Sequence, residues 1–159
     1  MTAAHDHGLW FLNTRVAIHR ASSDSADGLS VMEHWMPHGE APPLHMHHSE
    51  DEVFHVLEGM VRFRVGDVER LAGAGETLVA PKGVPHGFVV ESPGGARCLV
   101  MTPGPDFEGL IRAMGRPAEA AALPEPAEPT PAQQQALAAA ALDRRIKILG
   151  PPINTPAGA

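Results

Sequence analysis

From residue 9 to residue 102 the chain is cut into short apolar runs by Gly, Pro and Asp, with a break roughly every eight to twelve residues. Few folds accept that rhythm. A helix needs an apolar stripe sustained over several turns, whereas an antiparallel sandwich or barrel is made of short strands and frequent reversals. The runs predict strands at Leu9–Leu12, Arg15–His19, Leu29–Met36, Leu44–His47, Val53–Leu57, Met60–Val65, Val68–Leu71, Thr77–Ala80, His86–Val90 and Arg97–Thr102. The breaks have chemical reasons. Gly66-Asp67 suits a two-residue hairpin, the "AGAG" of residues 72–75 frees the backbone, and the "PKGVP" of residues 81–85 cannot extend a sheet.

Beyond Pro105 the pattern changes. "DFEGLIRAMG" places Phe107, Leu110, Ile111 and Met114 on one face of a short helix, stopped by Gly115 and Pro117. "LPEPAEPT", residues 123–130, reads as a polyproline-like linker, and "PAQQQALAAAALDRRI" as a helix with Pro131 in its first turn. The tail "INTPAGA" is expected to fray. The 159 residues therefore predict one all-β domain, a barrel over residues 1–105 with a helical extension over residues 106–159.

Charge narrows the choice of partner. A net charge of −7 with no basic run removes the electrostatic footprint of a nucleic-acid or anionic-membrane binder. No apolar stretch reaches the roughly 18 residues of a membrane span. The lone Cys98 forms no internal disulfide, and "MTAAHDHGLWF" lacks the features of a secretory leader. The expectation is a cytosolic protein whose partner is a small molecule.

One stretch carries the chemistry. "GEAPPLHMHHSEDEVFHVLEG", residues 39–59, holds four of the ten histidines and five carboxylates. Side chains alternate along a strand, so His45 and His47 share a face with Cα atoms about 6.6 Å apart, close enough for two imidazoles to meet one ion. If "HSED" makes the bend of a hairpin, the returning strand brings the Glu52 carboxylate to the same pocket. His86, behind the stiff "PKGVP" turn, supplies a fourth group. Three imidazoles and one carboxylate suit Fe, Mn, Co, Ni, Cu or Zn as divalent ions.

The spacing Gly39-x5-His45-x-His47-x4-Glu52-x6-Gly59, followed by Gly75-x5-Pro81-x-Gly83-x2-His86, resembles the two motifs of the cupin superfamily at all nine positions. Fifteen residues separate Gly59 from Gly75, a compact spacing for that family. One departure is Val90, where many cupins carry Asn. The resemblance implies a jelly-roll (double-stranded β-helix) barrel with His45, His47, Glu52 and His86 as metal ligands, and a homodimer paired through barrel faces. With "FEGLIRAMGRPA" and a distal helix ending "IKILGPP", the chain looks like the single-domain quercetin 2,3-dioxygenase-like cupins. That likeness implies oxidative cleavage of an enolic molecule, a flavonol or β-diketone, with Glu52 as metal ligand, as acceptor of the enolic proton, or as both. One cupin barrel also hosts lyases, isomerases, cyclases and binding proteins, so these stand as alternatives.

Alternation further places Phe54 and Val56 on the face of Glu52, and Phe88 on that of His86, as pocket wall, with Trp35, Met36, Met32 and Met101 as further candidates. His48 has the wrong parity for ligation, and His55 is expected to face away from the interior. His34 and His38 are ambiguous. The His5/His7 pair reads as an adventitious metal site at most, Cys98 as a small buried hydrophobe, and Glu50 and Asp51 as solvated hairpin carboxylates or acceptors for ligand N–H groups.

Overall fold

The computed structural model of the chain describes residues 6–153. Ten strands come first: β1 (Leu9–Phe11), β2 (Thr14–Arg20), β3 (Ser30–Met36), β4 (Pro43–His47), β5 (Glu52–Glu58), β6 (Met60–Val65), β7 (Val68–Gly73), β8 (Thr77–Ala80), β9 (His86–Val90) and β10 (Ala96–Thr102). Helix α1 (Asp106–Met114), the two-residue β11 (Arg116–Pro117), helix α2 (Pro131–Leu142) and β12 (Ile146–Pro152) complete the described chain. The ten expected strands all form, each within two residues of its anticipated ends.

All pairings are antiparallel, in a seven-stranded sheet ordered β11-β1-β2-β3-β10-β5-β8 and a five-stranded sheet ordered β12-β4-β9-β6-β7. Period-two alternation gives each sheet one apolar face, and the two faces close on each other as a barrel. Phe54, Val56 and Val100 from the larger sheet meet Val61, Phe63 and Val90 from the smaller, all at most 4% exposed. Each such side chain contributes ~1.5–3 kcal/mol by leaving water. A second apolar cluster, around Phe11, Met32, Ile111, Leu137 and Ile146, seats both helices against one end of the barrel.

Gly66-Asp67 makes the β6–β7 hairpin as anticipated, with Gly66 at φ 59°. Gly59 shows why a motif glycine is needed: at φ 84°, a Cβ there would lie 2.4 Å from the Gly95 carbonyl oxygen. Val90, the departure from the family pattern, ends β9 buried and exchanges backbone hydrogen bonds with the start of the first motif. Its N–H donates to Glu40 O at 3.0 Å and its carbonyl accepts from Gly39 N at 2.9 Å.

Two expectations are corrected. "IKILGPP" is a strand, not the end of a helix. Helix α2 stops at Leu142, a turn with Arg145 at φ 58° reverses the chain, and Ile146 and Ile148 then alternate inward beside β4. The stretch that reads as a helical extension therefore supplies an edge strand of the barrel. Nor does "HSED" make a hairpin, because β4 and β5 belong to different sheets and residues 48–51 carry the chain across the barrel. The expected fraying of "INTPAGA" concerns residues that, after Ile153, lie outside the described range.

Candidate metal centre

Strand β4 places His45 and His47 on its inward face, and β9, its neighbour, sets His86 directly opposite His45. The ring centroids of His45 and His86 are 4.4 Å apart, and His47 lies 5.3 Å from the first and 5.2 Å from the second. Glu52, the first residue of β5, reaches in from the opposite sheet. One potential ligand atom from each of His45, His47, Glu52 and His86 falls within 4.8 Å of all the others. His47, Glu52 and His86 are 1–2% exposed, so three ionisable groups share a water-poor site.

Whether a cation fits is answered by the hydrogen bonds. His45 Nδ1 lies 2.6 Å from Pro43 O and His86 Nδ1 lies 3.1 Å from Val84 O. A carbonyl only accepts, so both Nδ1 atoms carry the proton and both Nε2 atoms turn toward the cluster. His86 Nε2 donates to Glu52 Oε2 at 2.8 Å, and His47 Nε2 lies 3.3 Å from the same oxygen without hydrogen-bond geometry. Both ring nitrogens of His47 are buried without a partner among the described residues. An orphaned imidazole beside two oriented Nε2 atoms and a carboxylate is the donor set of a divalent transition ion.

Electrostatics agree. Burial would raise the Glu52 carboxyl, but His47, His86 and His45 outweigh it and hold it down at about 2. Burial, reinforced by His86, pushes His45 down to about 4. His86 moves up: burial opposes its charge, and the Glu52 hydrogen bond overcomes that. Glu52 is thus a ready anion, whereas His86 must release a proton before its Nε2 ligates.

His45, His47 and Glu52 form one wall of a pocket of about 830 Å³, open solvent included. Phe54, Phe88 and Met36 line it. Val56 and Met32 are instead packed in the two apolar cores. Trp35 is a correction: it has the opposite parity to Met36 and lies on the outer face of β3, where the Arg15 guanidinium sits 4.1 Å above its ring. Met101 has the parity of Trp35's outward neighbours, opposite to buried Val100 and Thr102.

His34 is the residue that sequence reasoning left open and the fold puts inside. It is 6% exposed, lines the pocket, and stacks at 6.0 Å on Phe107, whose other neighbour is His47 at 5.4 Å. Burial, partly countered by Glu52, pushes its imidazole down to about 4. The signal was its shared parity with Met32 and Met36. Elsewhere His48 is exposed, His55 bonds Thr77 on the outside, His38 contacts Ser92 O, and Cys98 is buried. Of the His5/His7 pair, His5 lies outside the described residues.

Glu50 has a different task from the one expected. The Nδ1–H groups of His45 and His86 are taken by backbone carbonyls, and the Glu50 carboxylate, 2% exposed, accepts from Asp106 N at 2.7 Å and Phe107 N at 3.1 Å, capping α1. A Cβ on Gly104 would lie 2.6 Å from that carboxylate. Asp51, exposed, accepts from Lys82 N. Glu50→Ala is expected to cost ~1–2 kcal/mol in urea unfolding by orphaning two helix N–H groups, and Glu50→Gln about half as much. Equal curves for wild type and Glu50→Ala would refute the capping role.

With this geometry in view, the comparisons are concordant. Residues 31–102 match the Cupin domain family. Similar solved structures include KdgF from Halomonas sp., 20% identical, with 67% of this chain and 94% of that one covered and a TM-score of 0.56. The cupin domain of Schizosaccharomyces pombe Cnp3 is 16% identical over 69% and 77% of the two chains, with a TM-score of 0.54. The polyketide cyclase RemF from Streptomyces resistomycificus is 25% identical over 64% and 78%, with a TM-score of 0.52. No curated protein matches the chain in sequence. No helix among the described residues is long and apolar enough to cross a membrane. The two-sheet barrel, the paired motifs on β4–β5 and β8–β9, and the Cupin domain match over residues 31–102 together give this chain a cupin-type β-barrel fold.

Proposed function

We propose that the protein is a metal-dependent enzyme acting with dioxygen on an enolic aromatic small molecule of flavonol or β-diketone type. The observation that carries this reading is the union of a four-residue donor cluster with an aromatic pocket: all five phenylalanines of the chain, Phe11, Phe54, Phe63, Phe88 and Phe107, line that one cavity. With no tyrosine in the chain, stacking on a planar substrate falls to these rings.

His45, His47, Glu52 and His86 would hold the ion. When bound, a divalent transition ion supplies Lewis acidity toward an anionic oxygen and, if redox-active, a partner for dioxygen. The remaining work is the protein's. Phe54, Phe88 and Phe107 exclude water and flatten the space available to the substrate. Pro43 O and Val84 O lock the ligand rings in orientation. Glu52, ionised and already bonded to His86, balances positive charge; a carboxyl held near 2 is a weak base, which favours ligation over proton removal.

The likeness to a polyketide cyclase at 25% identity favours a second reading, Lewis-acid cyclisation or isomerisation of the same kind of molecule without oxygen. Oxygen uptake separates them. Protein loaded with iron, manganese or nickel, offered a panel of flavonols and β-diketones, is expected to consume dioxygen, and zinc-loaded protein is not. Turnover by the zinc form under anaerobic conditions would reject the dioxygenase in favour of the Lewis-acid enzyme.

A further inference from the structure

Across the seven-stranded sheet, one inward row runs Val16, His34, Cys98, Val56. Three members are apolar or nearly so and all are buried, which makes an imidazole in that row costly unless something answers it. His34 Nε2 is buried without a hydrogen-bond partner among the described residues. Outside the candidate ligands, the pocket offers His34 little polar company. Thr14 Oγ1, for one, donates to Phe11 O at 2.6 Å.

Native folds seldom leave a buried nitrogen unpaired, and one without a partner in the protein itself calls for water, an ion or another bound group. The pocket is where that group would enter. The neighbouring Phe107 ring, stacked against His34 on one side and touching His47 on the other, spaces the imidazole away from the donor cluster.

We infer that His34 is a substrate-contacting residue, whose Nε2 hydrogen-bonds an uncharged oxygen of an aromatic substrate, a phenolic hydroxyl or ring carbonyl, set apart from the oxygen engaged by the four-ligand centre. The inference rests on the proposed function only in taking this pocket as the substrate's seat. It makes the substrate two-pronged: a planar apolar body with one oxygen at each of two positions. A second carboxylate is disfavoured at the His34 end, because the wall is apolar and the imidazole, pushed down to about 4, is neutral near pH 7.

The test uses zinc-loaded full-length protein and two probes, 2-naphthol and naphthalene, which differ by a single hydroxyl. His34→Leu is expected to weaken 2-naphthol roughly fivefold to tenfold relative to naphthalene, and His34→Gln to restore most of the difference. An unchanged ratio overturns the inference, and so does a loss in His34→Gln equal to that in His34→Leu. In wild type with 15N-labelled histidine, the His34 Nε2 resonance is expected to shift with 2-naphthol and not with naphthalene. No shift at saturating 2-naphthol overturns it too, whether or not the variants fold. Absence of oxygen uptake would sink the dioxygenase reading and leave this result standing, and the converse also holds.

Discussion

Metal-stripped protein given a saturating divalent transition ion is expected to unfold roughly 10 °C higher, and His47→Ala to lose nearly all of that gain. A ligand that binds only the folded state stabilises by the logarithm of its saturation, about 4 kcal/mol at a thousandfold excess over Kd. For a chain of this size each kcal/mol moves the midpoint by about 2–4 °C. His47 is the informative residue because neither of its buried ring nitrogens has a hydrogen-bond partner among the described residues, and Glu52 at 3.3 Å is its one anionic neighbour in the cluster. Without metal its removal loses packing and that ion pair; with metal it loses a donor as well. Thermal unfolding of both proteins, with and without zinc or nickel, decides the matter. A wild type indifferent to every ion would remove the centre from consideration, as would a His47→Ala variant that gains as much as wild type.

The second large effect is acid lability traceable to His34. Its folded pKa is about 4 against an ordinary 6.5. As pH falls below 6.5 the unfolded chain takes up a proton that the folded chain refuses, so stability declines until about pH 4 and then levels. That gap is worth ~3 kcal/mol. Glu52 acts lower, its contribution being lost between about 4.5 and 2, where a carboxyl with depressed affinity for protons finally accepts one. His45 shares the His34 window, so the informative quantity is the difference between wild type and His34→Leu in metal-free buffer. Denaturant unfolding at pH 7, 5.5 and 4.5 should show the wild-type curve falling more steeply. Parallel curves would mean that His34 is hydrated or paired in the folded protein.

Most of the barrel was legible before its structure because period-two patterning and Gly/Pro punctuation are local properties. The four donors were legible for a related reason: His45 and His47 declare a shared face by parity, and the family spacing links Glu52 and His86 to them. What the chain does not write locally is which sheet a strand joins. The run from His48 to Asp51 reads equally well as a hairpin or as a crossing between layers, and only the pairing of β4 with β9 and β12, and of β5 with β10 and β8, distinguishes them. The strand at Ile146–Pro152 was hidden by the alanine-rich helix before it, whose propensity runs on through "LDRRI" until Arg145 reverses the chain. Trp35 was named as a ring that could stack on a planar substrate, and His34 was left ambiguous; strand parity turns the first outward and the second inward.

Because three imidazoles stand on one layer and the carboxylate on the other, the span an ion must bridge is the gap between the layers. That gap is filled by Val61, Val90, Phe54 and their neighbours, none of which donates a lone pair. A methylene added or removed in this filling would change how far apart the three imidazoles and the carboxylate rest, and with it the size of ion they could hold. The fit to an ion would then be set by the hydrocarbon interior as well as by the donors.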